Sequence, residues 1–150
     1  MRKLQQKGFT LIEVLVVIGI IAILAAIVVI AINPARQFSQ ANNSQRWSNV
    51  NAVLNAVHQY SVDNRGQIPS GLTGSSTEIC KSGVLVATCT GAGLLSLDAA
   101  LVPTYIVSIP TDPTGASTNG AGYEISTTTG NRIVVTAPDA ELGVTISVTR

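Results

Sequence analysis

Charge is scarce in this chain. Of 150 residues, 11% are Asp, Glu, Lys or Arg, and one histidine, His58, is the whole histidine complement. That thin inventory, with no nucleophile elbow, no phosphate-binding loop and no acids grouped at helical spacing, leaves no catalytic constellation. A membrane-anchored enzyme is accordingly disfavoured. His58 has no Cys, His or carboxylate at ligand spacing and is read as structural. A basic excess is missing too: nine Lys and Arg face eight Asp and Glu. Setting aside Arg2, Lys3 and Lys7 leaves six against eight, so broad electrostatic binding of nucleic acid is not indicated. Cysteine is limited to Cys80 and Cys89, whose spacing is neither a zinc nor a CxxC redox signature.

What the chain does have is apolar length. From Phe9 to Ile32 the only polar side chains are Thr10 and Glu13. As a helix this stretch would span roughly 36 Å, enough for a bilayer core. An ordinary secretory h-region is roughly 7 to 15 residues and precedes its small-residue cleavage site; here the run is longer and the small residue, Gly8, comes before it. Three basic residues upstream and none within the run place the N-terminal end in the cytoplasm and everything after Asn33 outside it. Val14 to Ile32 is apolar in every direction around a helix, which predicts burial on all sides. Gly19, Ala22 and Ala26 form a strip of small residues where another helix could approach closely.

A carboxylate in hydrocarbon costs at least a few kcal/mol, which makes Glu13 a functional candidate. It either snorkels at the interface or is paired. Arg2, Lys3 and Lys7, Gly8, Phe9 and Glu13 together resemble the N-terminal signal of type IV pilins and type II secretion pseudopilins. The resemblance implies cleavage between Gly8 and Phe9 by a prepilin peptidase, methylation of the Phe9 amine, and neutralisation of that amine by Glu13 of a neighbouring subunit. It further implies a helical homo-oligomer, membrane lipid as the surroundings before assembly, and work supplied by a cytoplasmic ATPase through an inner-membrane platform protein. The protein would be a filament subunit, with a minor tip pilin that binds a surface or DNA as the alternative.

Asn33 and Pro34 interrupt the helical pattern. Either the proline kinks one continuous helix, or Asn33 caps and Pro34 opens a second. Beyond them Trp47, Val50, Leu54, Val57 and Ser61 recur at helical spacing, flanked by Val53 and Tyr60, and Gly66 supplies a stop. The expected fold is α+β: a basic leader over 1–8, a membrane or filament-core helix over 9–32, an amphipathic helix over 33–66, and a loop region with a small antiparallel sheet over 67–150. Two cysteines in an extracytoplasmic domain are most simply a disulfide, worth about 2–3 kcal/mol; two buried free thiols are the alternative. Gly83 to Thr88 reads as a turn and strand, Leu94 to Val102 as a short helix, and Thr104 to Ile109 as extended chain. Three strands follow at Tyr123 to Thr128, Ile133 to Ala137 and Val144 to Thr149.

The stretch Leu97 to Pro113 with Gly122 to Ile125 also resembles the body of the major pseudopilin, in which a nearby loop binds calcium. No cofactor is otherwise expected. Asp98 and Asp112 are the weak calcium candidates, with Asp139 and Glu141 as further acids toward the C-terminal end. The aromatic residue that follows Asp-Pro in that family is Thr114 here, and the acidic, Gly-rich C-terminal segment is missing.

Overall fold

The computed structural model describes residues 8–150; Arg2, Lys3 and Lys7 of the expected leader lie outside the described residues. The chain divides into two compact units, the first ending at Phe38 and the second running Ser39–Arg150.

In the first unit, α1 (Leu11–Ile32) is 22 residues long, or about 33 Å. It is the helix among the described residues that is long and apolar enough to cross a membrane. None of its residues is buried within the chain. Its start is fixed by a capping box: the Thr10 hydroxyl accepts from the Glu13 amide at 3.3 Å, and the Glu13 carboxylate accepts from the Thr10 amide at 2.9 Å. Two of the orphan amides at the helix head are thereby satisfied. Asn33 ends α1 in the left-handed conformation, φ 47°. Its side-chain oxygen and its carbonyl then accept from the Arg36 amide at 3.4 and 3.1 Å. Asn33 thus closes one helix and caps the next, α2 (Pro34–Asp63), which opens on a proline at the position where no amide donor is needed. Of the two readings of Asn33-Pro34, the capped break is the one adopted.

In the second unit, α2 shares one hydrophobic core with a four-stranded antiparallel sheet. The strands are β1 (Thr77–Cys80), β2 (Gly120–Thr127), β3 (Ile133–Ala137) and β4 (Ile146–Thr149), in the order β1-β2-β3-β4. The helix contributes Val50, Val53, Leu54, Ala56 and Val57; the sheet contributes Ile79, Tyr123, Ile125, Ile133, Val135 and Ile146. Burial alternates along β3, as a sheet with one packed face requires. Arg65 and Gly66 both take positive φ, and the Gly66 amide closes on the Ser61 carbonyl at 2.8 Å, so α2 stops where the glycine predicts.

Five expectations are corrected. Trp47 is not in the core: it stays 40% exposed, because Asn43 and Arg46 occupy the buried face at that end of α2, while Val50, Val53, Leu54 and Val57 of the expected stripe are buried. The region read as loop contains β1, a strand too short and polar to announce itself; its register pairs Glu78 with Glu124. The segment read as a strand near Gly83 to Thr88 is instead the helix α3 (Val86–Gly91), and Leu94 to Val102 contracts to α4 (Asp98–Leu101). Leu95 is drawn out of that helix into a parallel bridge with Ile79, exchanging backbone bonds of 2.8–2.9 Å with Glu78 and Cys80. Thr104 to Ile109 is turn and bend, not extended strand.

Candidate functional site

Two places concentrate the chemistry of this chain, one in each unit. The first is the head of α1. Gly8 and Phe9 precede the helix, both exposed, and Glu13 stands in its first turn, where the unpaired amides and the helix dipole favour a negative charge. Glu13 Oε2 accepts from both the amide and the hydroxyl of Thr10, at 2.9 and 3.0 Å. These bonds orient the carboxylate and supply no counter-charge. The Thr-x-x-Glu spacing is a sequence signature of this cap, and reading Glu13 only as an acid in an apolar run passes over it. Along the rest of α1 the surface is a continuous apolar sleeve, with Ile12, Val16, Ile20, Ile23, Ile27 and Ile30 all half or more exposed except Val16 at 49%. An isolated domain does not retain such a sleeve in water.

The second place is a polar cluster buried under α2. Arg46 lies on the core-facing stripe with its side chain fully buried. Its five N–H groups meet five acceptors: Nε gives to Asp112 Oδ2 at 2.7 Å, Nη2 to Asp112 Oδ1 at 2.9 Å and Thr114 Oγ1 at 2.6 Å, and Nη1 to Asn43 Oδ1 at 2.9 Å and Glu141 Oε1 at 3.1 Å. The donor capacity of the guanidinium is used in full. The bond to Asp112, followed by the Glu141 contact and both charges, raises its pKa against the opposing effect of burial.

Asp112 is positioned by its own loop. Its Oδ1 accepts from the amides of Thr114 and Gly115 at 2.9 and 2.7 Å, a turn closed by an aspartate side chain. Its amide gives to the Ala121 carbonyl of β2 at 2.8 Å. Burial pushes the Asp112 carboxyl up, but Arg46 and the two amides more than offset it, and the net shift is downward. Glu141, in the turn after β3, is lowered by hydrogen bonds from Ser39, Asn42 and Arg46. Asn43 locks that turn from both sides, giving to the Glu141 carbonyl at 2.8 Å and accepting from its amide at 2.9 Å. One turn further along α2, Asn49 gives to the buried Tyr123 hydroxyl at 2.8 Å.

The remaining candidates are dispersed. Cys80 and Cys89 are joined at 2.03 Å, which ties the end of β1 to α3. Asp98 accepts from the Ser82 hydroxyl at 2.6 Å and the Gly83 amide at 3.0 Å, and so serves a different loop from Asp112. The two weak calcium candidates are therefore not brought together. Among the described residues, no three His, Cys, Asp or Glu side chains converge as metal ligands would. His58 sits half-buried on α2 beside an open groove lined by Asp63 and Tyr105, and its Nε2 has no partner among the described residues.

Comparison with known proteins is consistent with the first of these places. Residues 3–29 match the family described as the prokaryotic N-terminal methylation motif. The chain is also 41% identical over 64 residues to type II secretion system core protein G of Aeromonas hydrophila; the match covers 43% of this chain and 43% of that protein's own length. No solved structure matches. The chain thus shares with these proteins an N-terminal motif that takes in the head and most of α1, and spans less than half the length of the relative it matches.

Proposed function

We propose that this protein is a structural, non-enzymatic subunit of a type IV pilus or a type II secretion pseudopilus, made as a membrane-anchored precursor. The observation that carries the reading is the head of α1: an acid held in a capping box at the start of a 22-residue apolar helix with no buried residue, inside the matched methylation motif. The similar protein from Aeromonas is a secretion core protein, which favours the pseudopilus.

In this reading the leader ending at Gly8 lies in the cytoplasm and prepilin peptidase cuts between Gly8 and Phe9. N-methylation of Phe9 leaves its amine cationic. The Thr10 donors hold the Glu13 carboxylate in place, and the Phe9 amine of a neighbouring subunit supplies the missing charge. Pairing the two converts a pair of groups that are each costly in an apolar medium into one tolerable unit. It also fixes the register between subunits. Moving α1 from lipid into a filament buries apolar area in both states, so area alone does not drive the transfer. The work comes from a separate assembly ATPase acting through a membrane platform protein.

Shearing surface filaments from cells and mapping the N terminus of this chain by mass spectrometry tests processing and polymerisation together. The expected product begins at N-methyl-Phe9. Assembled protein that retains Met1 to Gly8 would overturn the cleavage assignment.

A further inference from the structure

We infer that Arg46 is the resident cation of the second unit: its guanidinium occupies the place of a hard divalent ion among the C-terminal loops, and the fold is consequently indifferent to calcium. The acceptors around it are all oxygens: two from Asp112 and one each from Thr114, Asn43 and Glu141. Carboxylates, a hydroxyl and a side-chain amide oxygen from separated segments are the donor chemistry that calcium takes. Here that set converges on a side chain from α2.

The cluster does the work of a structural ion. It draws the Asp112–Gly115 loop and the turn carrying Glu141 onto one point of α2, across sequence separations of 66 and 95 residues. Its charge accounting also leaves little for a metal to do, since one guanidinium already faces two carboxylates, of which Asp112 is fully buried and Glu141 is 30% exposed. A divalent ion entering beside Arg46 would meet a fixed positive charge at 2.7 Å from the Asp112 oxygen it needs. Arg46 therefore excludes the ion that it replaces. This inference stands on the second unit alone and does not depend on filament assembly.

The test is thermal unfolding of the full chain in neutral detergent micelles, followed by far-UV circular dichroism, in EDTA and in millimolar calcium. The wild-type midpoint is expected to agree within about 1 °C between the two conditions, because a ligand that does not bind the native state does not stabilise it. Arg46→Ala vacates the position and leaves the oxygens; its midpoint is expected to be lower in EDTA and to rise by about 5 °C or more when calcium reaches one hundred times its dissociation constant. Arg46→Lys keeps a cation in place and is expected to remain calcium-indifferent. A wild-type protein stabilised by calcium or destabilised by EDTA overturns the inference. So does an Arg46→Ala protein that shows no calcium response or stays unfolded in both conditions, since the vacated oxygens would then not have accepted the ion.

Discussion

Replacing Asp112 by Asn isolates what the buried ion pair contributes. In the wild type the Arg46 and Asp112 side chains are both fully buried, 2.7 Å apart. Asp112→Asn keeps the shape and one acceptor while deleting the charge, and leaves a buried guanidinium facing only Glu141, which is 30% exposed and 3.1 Å away. Removing one partner of a buried pair costs about 3–5 kcal/mol, because the other charge is stranded. The surviving Glu141 contact puts the expectation near the lower end, about 3 kcal/mol, which is a large share of the roughly 5–15 kcal/mol that holds a domain together. In urea, with a slope of about 1–3 kcal/mol per molar, the midpoint should fall by about 1 M or more at unchanged slope. Trp47, the only tryptophan, adjoins Arg46 in sequence and reports the transition by fluorescence. The double variant Arg46→Met with Asp112→Leu removes both charges and should recover most of the loss, since an apolar pair of similar volume is often as stable as the ion pair. An Asp112→Asn protein within about 0.5 kcal/mol of wild type would falsify the account, because a stranded buried cation cannot be that cheap.

Acid should weaken the same cluster. The folded-state pKa values of Asp112 and Glu141 lie below their ordinary values of 3.8 and 4.5, so their contribution is complete above the unfolded values and is lost as pH falls through the folded ones. The urea midpoint should be level above about pH 5 and drop below it, and Asp112→Asn should flatten that drop; a wild-type midpoint that holds to about pH 3 contradicts the assignment. Gly122 has φ +80°, and a Cβ there would meet the Asp112 Cβ at 2.6 Å, so Gly122→Ala should destabilise by more than about 1 kcal/mol in the same titration. Cys89→Ser opens the Cys80–Cys89 loop and should cost about 2–3 kcal/mol, visible as a lower thermal midpoint that dithiothreitol no longer shifts. On the proposed function, Glu13→Gln should still insert into membranes while sheared filament yield falls; yield equal to wild type would remove the case for pairing with the Phe9 amine.

The α+β architecture was legible because its largest parts carry strong periodic signals. An unbroken apolar run can only be a helix in lipid or in a filament core, and the alternation through Ile133 to Ala137 can only be a strand with one packed face. What escaped lies where long-range contacts outvote local pattern. Thr77–Cys80 is four residues with a charged member, and it becomes a strand because β2 and Leu95 pair with it on either side. Val86–Gly91 has strand-like composition but is a helix, with Cys89 fastened to Cys80 and the Thr90 hydroxyl bonded back to the Val86 carbonyl. Arg46 was invisible for a different reason: a charged residue beside a tryptophan on an amphipathic helix argues for the tryptophan facing inward. The spacing of Asn43, Arg46, Val50, Val53 and Val57, three and four residues apart in turn, extends the core face that Val50, Leu54 and Val57 mark toward the start of α2. Reading that spacing requires accepting an arginine in it, and sequence alone does not supply the Asp112 and Glu141 that make it acceptable.

Arg46 and Glu13 pose the same physical problem and meet it differently. Each is an ionisable group on a helix face committed to an apolar environment. Arg46 finds both its hydrogen-bond partners and its counter-charges within the chain, two carboxylates for one guanidinium. Glu13 finds only hydrogen bonds, from Thr10, and no cation lies within salt-bridge distance of it among the described residues. In the second unit the buried charges of Arg46 and Asp112 are compensated from within the chain. An α1 with an oriented but uncompensated carboxylate, on a sleeve of exposed Ile, Val and Leu, is complete only against another molecule that brings both apolar surface and a positive charge. A lipid bilayer supplies the surface. Under the proposed function, a processed copy of the same chain would supply both, and the specificity of assembly would then reside in Glu13 and its bulk attraction in the residues that follow.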